Sequence, residues 1–362
     1  MSKVSRISII IFSVIAFCGL LVGLYYIPAI NAWVNPPVKE EQQQQEDISN
    51  GNNAEIVSTP SYAVEQYLSG ESTQIYSNAR SVGPYSLKGF NNLKSLYLPN
   101  VSDFHGNINS ITINYLQFDN LISVGFAAFS FPGLVEPYDL RLVLTNSSNY
   151  CAFNASCGLF NTTSVVPNVK LYVHENLFDL YVQNMASYGN LEIFKISDLN
   201  NPVVFDKSSD KLLDALISGT AGGTFESENI THLRDYAFAQ NYFESIILPN
   251  LVSYGTFPFC LMFFLTSLVI PSVEVLSNEF IYHCPALTKL DLPLCTTFEK
   301  QPFMNMTINV VLYGYVESVD FSVPANTSVT IYVPDVRFLD YQTGYAGTGA
   351  VVKKHSELEV VT

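Results

Sequence analysis

Hydrophobic positions recur along this chain as a short phrase: an apolar residue, two more at +3 and +5, and then in most copies a proline. The phrase reads Leu93, Leu96, Leu98, Pro99, then Ile113, Leu116, Phe118 with Asp119 in the proline position. It returns as Phe243, Ile246, Leu248, Pro249, as Leu265, Leu268, Ile270, Pro271, and as Leu287, Leu290, Leu292, Pro293. The last three prolines fall 22 residues apart. Side chains alternate along a strand, so the +3 and +5 residues share one face, and the proline, lacking a donor, ends the pairing. A turn follows, with glycine at Gly125 and Gly255, and an aromatic at Phe129, Phe259, Phe280 or Phe303 closes the coil. One coil cannot bury its apolar face alone, whereas stacked coils share one core. The pattern predicts a mainly β solenoid with a period of about 22 residues, these Leu, Ile and Phe positions forming its core.

Two segments carry helix signals instead. Ser58-Thr59-Pro60 leads into 62–68 and ends at Ser69-Gly70, and Ser208-Ser209 leads into 212–217 and ends at Ser218-Gly219. Each has a capping hydroxyl before it, one apolar face and a glycine after it. The closing segments also repeat: Leu171-Tyr172-Val173 with Phe178 and Tyr181 matches Ile331-Tyr332-Val333 with Phe338 and Tyr341 at an offset of 160. The spacing predicts two capped modules, 56–200 and 201–350, with their seam at Asn200-Asn201-Pro202 and a tail over 351–362. In the first module the phrase frays around Gly106 and at Asp119, and an Asn-rich stretch follows Leu144. Solenoid ligands dock on the sheet side and on protruding loops, so 145–167 is the expected docking loop, a solvated or glycosylated loop being the other reading.

The N-terminus follows a different pattern. Residues 7–27 hold no charge and no proline, enough helix to cross a bilayer's hydrocarbon core. Lys3 and Arg6 precede it and Lys39 is the first positive charge after it. The positive-inside rule then keeps 1–6 in the cytoplasm, makes 7–30 a transmembrane signal-anchor and sends the repeats outside. Cleavage near Ile30-Asn31-Ala32, giving a secreted protein, is the alternative. Residues 31–55, with Pro36-Pro37 and four consecutive glutamines, have almost nothing to bury and read as a disordered tether.

Composition narrows the function classes. The 362 residues are 48% hydrophobic and 14% charged, which is ample for a large core. The formal net charge of −15 repels phosphate backbones and argues against nucleic acid as a partner.

The units Leu265-Thr266-Ser267-Leu268-Val269-Ile270-Pro271-Ser272-Val273 and Leu287-Thr288-Lys289-Leu290-Asp291-Leu292-Pro293, each leading to a Phe, resemble the BspA-like leucine-rich repeat family. Thr330-Ile331-Tyr332-Val333-Pro334-Asp335 and Lys170-Leu171-Tyr172-Val173-His174 resemble the strand that ends such arrays, and the Leu-Ile-Ser-Gly entry at 216–219 also fits. The resemblance extends over about 58–345. It implies a leucine-rich repeat fold, display at a microbial cell surface, and adhesion to or binding of an extracellular protein or glycan, with no catalytic motif to carry over. Cys284 sits where the family often has a small buried cysteine.

Individual residues add less. Cys18 lies in the apolar N-terminal stretch, and five cysteines follow, too many by one for complete internal pairing. Cys151 and Cys157, close in sequence around a loop, form the expected disulfide, while Cys260, Cys284 and Cys295 read as core. Seven sequons, at Asn100, Asn146, Asn154, Asn161, Asn229, Asn305 and Asn326, are candidate glycan sites. The histidines at 105, 174, 232, 283 and 355 are scattered, no paired-cysteine or His-Glu metal motif occurs, and no nucleophile elbow or phosphate loop is found. Neither a cofactor nor a metal nor catalytic residues are expected. The sequence reads as a membrane-anchored extracellular binding or adhesion protein, with a structural surface component as the alternative and a carbohydrate-active enzyme third.

Overall fold

The structure is a computed structural model that describes residues 60–358, apart from 107, 109, 111, 130, 132–133, 135, 154–155, 161–165 and 209. The expected membrane helix over 7–30 and the tether over 31–55 lie outside the described residues. Among the described residues no helix is long and apolar enough to cross a membrane.

Among the described residues four short α-helices punctuate a β solenoid: α1 (Tyr62–Ser69), α2 (Phe178–Met185), α3 (Lys211–Ser218) and α4 (Phe338–Gly344). In the first module six strands pair in parallel in chain order: β1 (Gln74–Tyr76), β2 (Ser95–Tyr97), β3 (Tyr115–Phe118), β4 (Asp139–Leu144), β5 (Asn168–Val173) and β6 (Leu191–Lys195). The second module has β7 (Gly222–Glu226), β8 (Tyr242–Ile247) and β9 (Ser267–Val269) in one parallel sheet. Its continuation holds β10 (Lys289–Leu292), β11 (Thr307–Leu312), β12 (Ser328–Val333) and β13 (Val351–Lys354). The last of these strands falls in the segment read as a tail, because Val352 pairs beside Ile331 and extends the ladder. Short parallel sheets on the other sides, such as Phe259–Cys260, Ile281–Tyr282 and Phe303–Met304, complete each coil.

The register explains the repeated phrase. Ile75, Leu96, Leu116, Leu142 and Leu171 stand side by side in one buried column, and Phe225, Ile246 and Leu268 do the same in the second module. Each such side chain contributes about 1.5–3 kcal/mol by leaving water. The predicted closing aromatics Phe129, Phe259, Phe280 and Phe303 are all buried, and rings stack from coil to coil, Phe238 lying 5.7 Å from Phe259. The turn glycines serve a close approach: a Cβ on Gly255 would stand 2.1 Å from Asp235 Oδ1 in the preceding coil, and one on Gly125 2.0 Å from His105 Nδ1.

Left-handed backbone falls instead on two columns of other residues, Tyr236, Phe257, Glu279, Lys300, Asp320 and Gln240, Leu261, His283, Asn305, Asn326. Stacking of identical turns offsets a cost of roughly 1–2 kcal/mol at each position.

Both predicted opening helices are present. Their caps are Ser61, which accepts from Val64 N, and Asp210, which accepts from Leu212 N and Leu213 N. Those two residues, rather than Ser58, Thr59 or Ser208, immediately precede the first helical N–H groups; Ser58, Thr59 and Ser209 lie outside the described residues. Gly70 and Gly219 close the helices in the left-handed conformation, as expected. The closing tyrosines also have a definite role. Tyr181 accepts a hydrogen bond from Cys151 N at 2.7 Å, and Tyr341 accepts from Val316 N at 2.8 Å and donates to Gly314 O at 2.6 Å. Each is buried and ties its helix to the coil before it.

The two modules meet through their opening helices, and the contacts are reciprocal. Arg234 N donates to Leu68 O at 2.9 Å while Gly83 N donates to Ile217 O at 2.8 Å. Glu65 accepts from the Ser227 hydroxyl and the Asn229 amide, and Asp214 accepts from the Ser77 hydroxyl and Asn78 N. The cap side chains of Ser61 and Asp210 hydrogen-bond each other, and Tyr85 stacks on Tyr236 at 5.0 Å. Residue pairs related by about 150 positions thus exchange partners, as in an isologous dimer interface within one chain. Arg234 pins the junction: it is 2% exposed and donates to Tyr67 O, Ser86 O and Lys88 O of the first module. Buried apolar residues of both modules form one continuous cluster across this junction.

Candidate binding surface

Strand alternation that turns Leu96 and Leu171 inward turns the next residue outward. On the first module's sheet this outward row runs Tyr76, Tyr97, Gln117, Val143, Tyr172, Phe194 in direct register across six strands. Tyr115, from the neighbouring outward row, stands beside it. These are side chains for a covered surface, and Tyr97, Tyr115, Val143 and Tyr172 are all buried.

Their cover is the chain itself. After β6 a turn at Ile196–Asp198 sends the backbone across the outer face, and Ile196, Leu199, Val203 and Phe205 pack on the row. Phe205 lies 5.5 Å from the Tyr97 ring and 6.0 Å from the Tyr115 ring, centroid to centroid. Arg141, whose guanidinium lies 5.0 Å above Tyr115, donates to Asn201 O at 2.9 Å. Lys207 Nζ stands 5.1 Å above the Tyr97 ring, and the Tyr97 hydroxyl donates to Asp119. Burial pushes the Tyr97 and Tyr115 hydroxyls above their ordinary pKa, and at Tyr97 the Asp119 carboxylate adds to the rise. Both phenols therefore stay neutral donors at physiological pH.

On the first sheet of the second module the same face has no such cover among the described residues, whereas Val311 and Tyr332 on its second sheet are buried. Its outward row reads Glu226, Ile247 and Val269 in the first sheet and Asp291, Val311 and Tyr332 in the second. Val269 is 42% exposed, and toward the other end of the strands Tyr242 and Phe264, rings 5.3 Å apart, both face solvent. Lys289 and Asp291 form an ion pair at 3.1 Å. A polar cleft of about 770 Å³ opens at the junction, where the aromatic row ends, lined by Tyr62, Gln66, Gln74, Tyr76, Asp206 and Asp210.

The residues singled out from sequence are distributed differently. Described parts of the 145–167 segment are built into the closing end of the module: Cys151, Cys157, Leu159 and Phe160 are buried, and Tyr150 packs on Tyr181 at 4.5 Å. Cys151 and Cys157 are free thiols there, as are Cys260, Cys284 and Cys295, and all five are buried. Asn154 and Asn161 lie outside the described residues. Asn326 is exposed, while Asn305 is half-buried. Asn146 accepts from Ser148 N and Asn149 N in a local turn. The exposed Asn100 and Asn229 donate their amides, to Asn78 O at 3.0 Å and to Glu65 at 2.9 Å. Asn100 belongs to a ladder: Asn120 reaches Pro99 O, Asn250 reaches Glu228 O and Ser272 reaches Pro249 O, each one coil back. Five of the seven sequon asparagines are thus placed, and of these Asn305 and Asn326 occupy successive turns of one column.

The aromatic row was missed in the sequence, although a signal for it exists. Ser95-Leu96-Tyr97-Leu98 and Leu142-Val143-Leu144 are apolar without alternation, the mark of strands buried on both faces. Val203-Val204-Phe205 in an otherwise polar seam is the matching mark of the segment that buries them.

Comparisons with known proteins agree with the coil geometry. Residues 224–314 match the profile of the BspA type leucine rich repeat region in six copies. No curated protein matches this chain. Among solved structures, the crystal structure of the pneumococcal vaccine antigen PcpA is similar at 15% identity and a TM-score of 0.27, covering 77% of this chain and 84% of that one. The six matched copies fall on the parallel coils of β7 to β11, so this part of the chain is similar to the BspA type leucine rich repeat region.

Proposed function

We propose that the chain is a surface-displayed binding protein, held at the membrane through residues 7–30 and recognising an extracellular protein or glycan with the open sheet face of its second module. The observation that carries this reading is the set of exposed side chains along a parallel sheet, Tyr242 and Phe264 at one end and Val269 beside the half-buried Ile247 at the other. Apolar side chains on a solvent-facing sheet contribute nothing to folding where they stand, and contiguous exposed apolar patches mark interaction sites. Aromatic anchors of this kind supply most of the energy of a typical interface. The acidic surround, Glu226 and Glu244 beside the patch, favours ligands without excess negative charge. Display outside the cell is supported by the charge-free 7–27 segment and by the likeness of residues 224–314 to the BspA type leucine rich repeat region.

Two measurements test the reading. Intact cells expressing the full chain are treated with protease, and loss of the repeats is expected. The full chain in nanodiscs is then passed over glycan and matrix-protein arrays beside Phe264→Ser and Val269→Asp variants. Binding at micromolar concentration that both variants abolish is expected. Absence of any such binder, or repeats that survive shaving of intact cells, overturns it.

A further inference from the structure

We propose that the aromatic face of the first module is a binding site for an extended peptide with the pattern apolar, any, aromatic, any, basic, and that the chain's own segment 199–207 is the occupant it holds at rest. The proposal goes beyond the surface-binding reading and does not depend on it, since it concerns the other module.

The pattern is read from how the face grips the segment. Val203 and Phe205 face the sheet and Val204 between them is 85% exposed, so the backbone is extended with alternate residues inward. Phe205 enters the angle between the Tyr97 and Tyr115 rings. Two residues on, Lys207 places its ammonium over Tyr97, whose hydroxyl already engages the Asp119 carboxylate. The backbone is read as well: Arg141 donates to Asn201 O. Six parallel strands hold the gripping side chains, so the site is preorganised whatever lies on it.

The occupant differs from the site in how it is fixed. The 199–207 segment joins no sheet, and side chains rather than a backbone ladder hold it down. Its ends are pinned independently, at the turn that follows β6 and at Asp210, the cap of α3. Elements with few buried contacts and unpaired backbone open at the low end of the local stability range. A tethered segment competes at an effective concentration of millimolar order, so only a partner with the same pattern and greater affinity or local abundance displaces it.

The test uses the full chain and a fluorescein-labelled synthetic peptide spanning Asn200 to Ser208. Phe205→Ala in the protein removes the main anchor of the resident segment without touching the face. The Phe205→Ala protein is expected to bind the peptide about tenfold or more tightly than the unsubstituted chain. Adding Tyr115→Ala to it, or replacing the peptide's own phenylalanine by alanine, is expected to abolish binding. Hydrogen exchange on the unsubstituted chain provides a reading that needs no variant to fold: amides of 200–207 are expected to exchange about a hundredfold or more faster than those of β2 to β4, through local opening. Equal peptide affinity in the two proteins, binding that survives Tyr115→Ala, or 200–207 amides that exchange only with global unfolding would each overturn the proposal.

Discussion

Replacing Arg234 probes the junction on which the whole architecture turns. Its guanidinium is nearly inaccessible, sits 4.5 Å from the Tyr67 ring and 4.4 Å from the Phe90 ring, and donates to four carbonyl oxygens: Tyr67, Ser86 and Lys88 of the first module and its own neighbour Asp235. Burial pulls its pKa down from the ordinary arginine value, while the neighbouring Tyr67 and Asp235 oppose that shift. Arg234→Ala strands three first-module carbonyls, each costing about 1–2 kcal/mol if water does not reach it, and removes the packing of the stem. Relief from holding a desolvated cation returns part of that, leaving a net loss of roughly 2–4 kcal/mol. For a unit of about 300 residues this lowers Tm by about 3–6 °C. Because three of the four lost bonds cross the junction, calorimetry of Arg234→Ala is expected to show two transitions where the unsubstituted chain shows one. Arg234→Lys should recover part of the loss, since an ammonium serves fewer carbonyls and lacks the flat face that stacks on Tyr67 and Phe90. Arg234→Met keeps the apolar stem and is the decisive variant. If it is as stable as arginine and unfolds in one step, the buried cation is tolerated rather than needed, and the reasoning fails.

Alkaline pH is expected to destabilise the fold, because burial raises Cys260 and Cys284 to about 12 and Cys295 to about 11, from 9.0. Above pH 9 the unfolded chain releases these protons first, so each thiol removes about 1.4 kcal/mol of stability per pH unit until its folded pKa is reached. Thermal melts from pH 8 to 11 check this, and iodoacetamide at pH 8 should label the folded chain hardly at all; rapid labelling would contradict the burial. After denaturation without reductant, alkylation should label Cys151 and Cys157, the free thiols of the structure, and protection of that pair alone would show the disulfide expected from sequence instead. Gly255→Ala is expected to cost about 2–3 kcal/mol, since the new Cβ meets Asp235 N at 2.6 Å, whereas Gly125→Ala meets only the movable His105 ring and should cost about 1 kcal/mol or less. Tyr341→Phe loses two backbone hydrogen bonds and Tyr181→Phe one, so urea melts should show the former losing about twice as much, of the order of 2 against 1 kcal/mol.

Much of the fold was legible because its signals are local and periodic. The spacing of Leu268, Ile270 and Pro271 names a strand and its end, and repetition at 22 residues names the stack without any knowledge of long-range contacts. The helices over 62–69 and 211–218 were readable from Gly70 and Gly219. What one coil does to the next was less legible. Gly125 and Gly255 read as turn residues, whereas the structure requires them for close approach, and the left-handed positions carry Tyr236, Phe257 and Lys300, which no turn rule selects. Asn100 read as a sequon, yet its amide is one rung of a coil-to-coil ladder, visible only when Asn120, Asn250 and Ser272 are seen in register.

The orientation of the modules was invisible for a deeper reason, and it decides what the binding faces look like. A seam at Asn200-Asn201-Pro202 suggests that the second module continues from the end of the first. Instead α3 returns to α1, so the chain must travel back across all six strands of the first module. Five inter-strand steps of about 4.8 Å come to about 24 Å, which the extended run from Leu199 to Lys207 just spans at about 3.3 Å per residue. Topology alone would be satisfied by a polar linker over a polar sheet. The tyrosine row and the matching Val203 and Phe205 show more than a return path, because both surfaces are apolar where they meet and ordinary where they do not, Val204 facing water. The first module is thereby a face already filled and the first sheet of the second a face left open at Val269, and the junction held by Arg234 keeps the two in that relation.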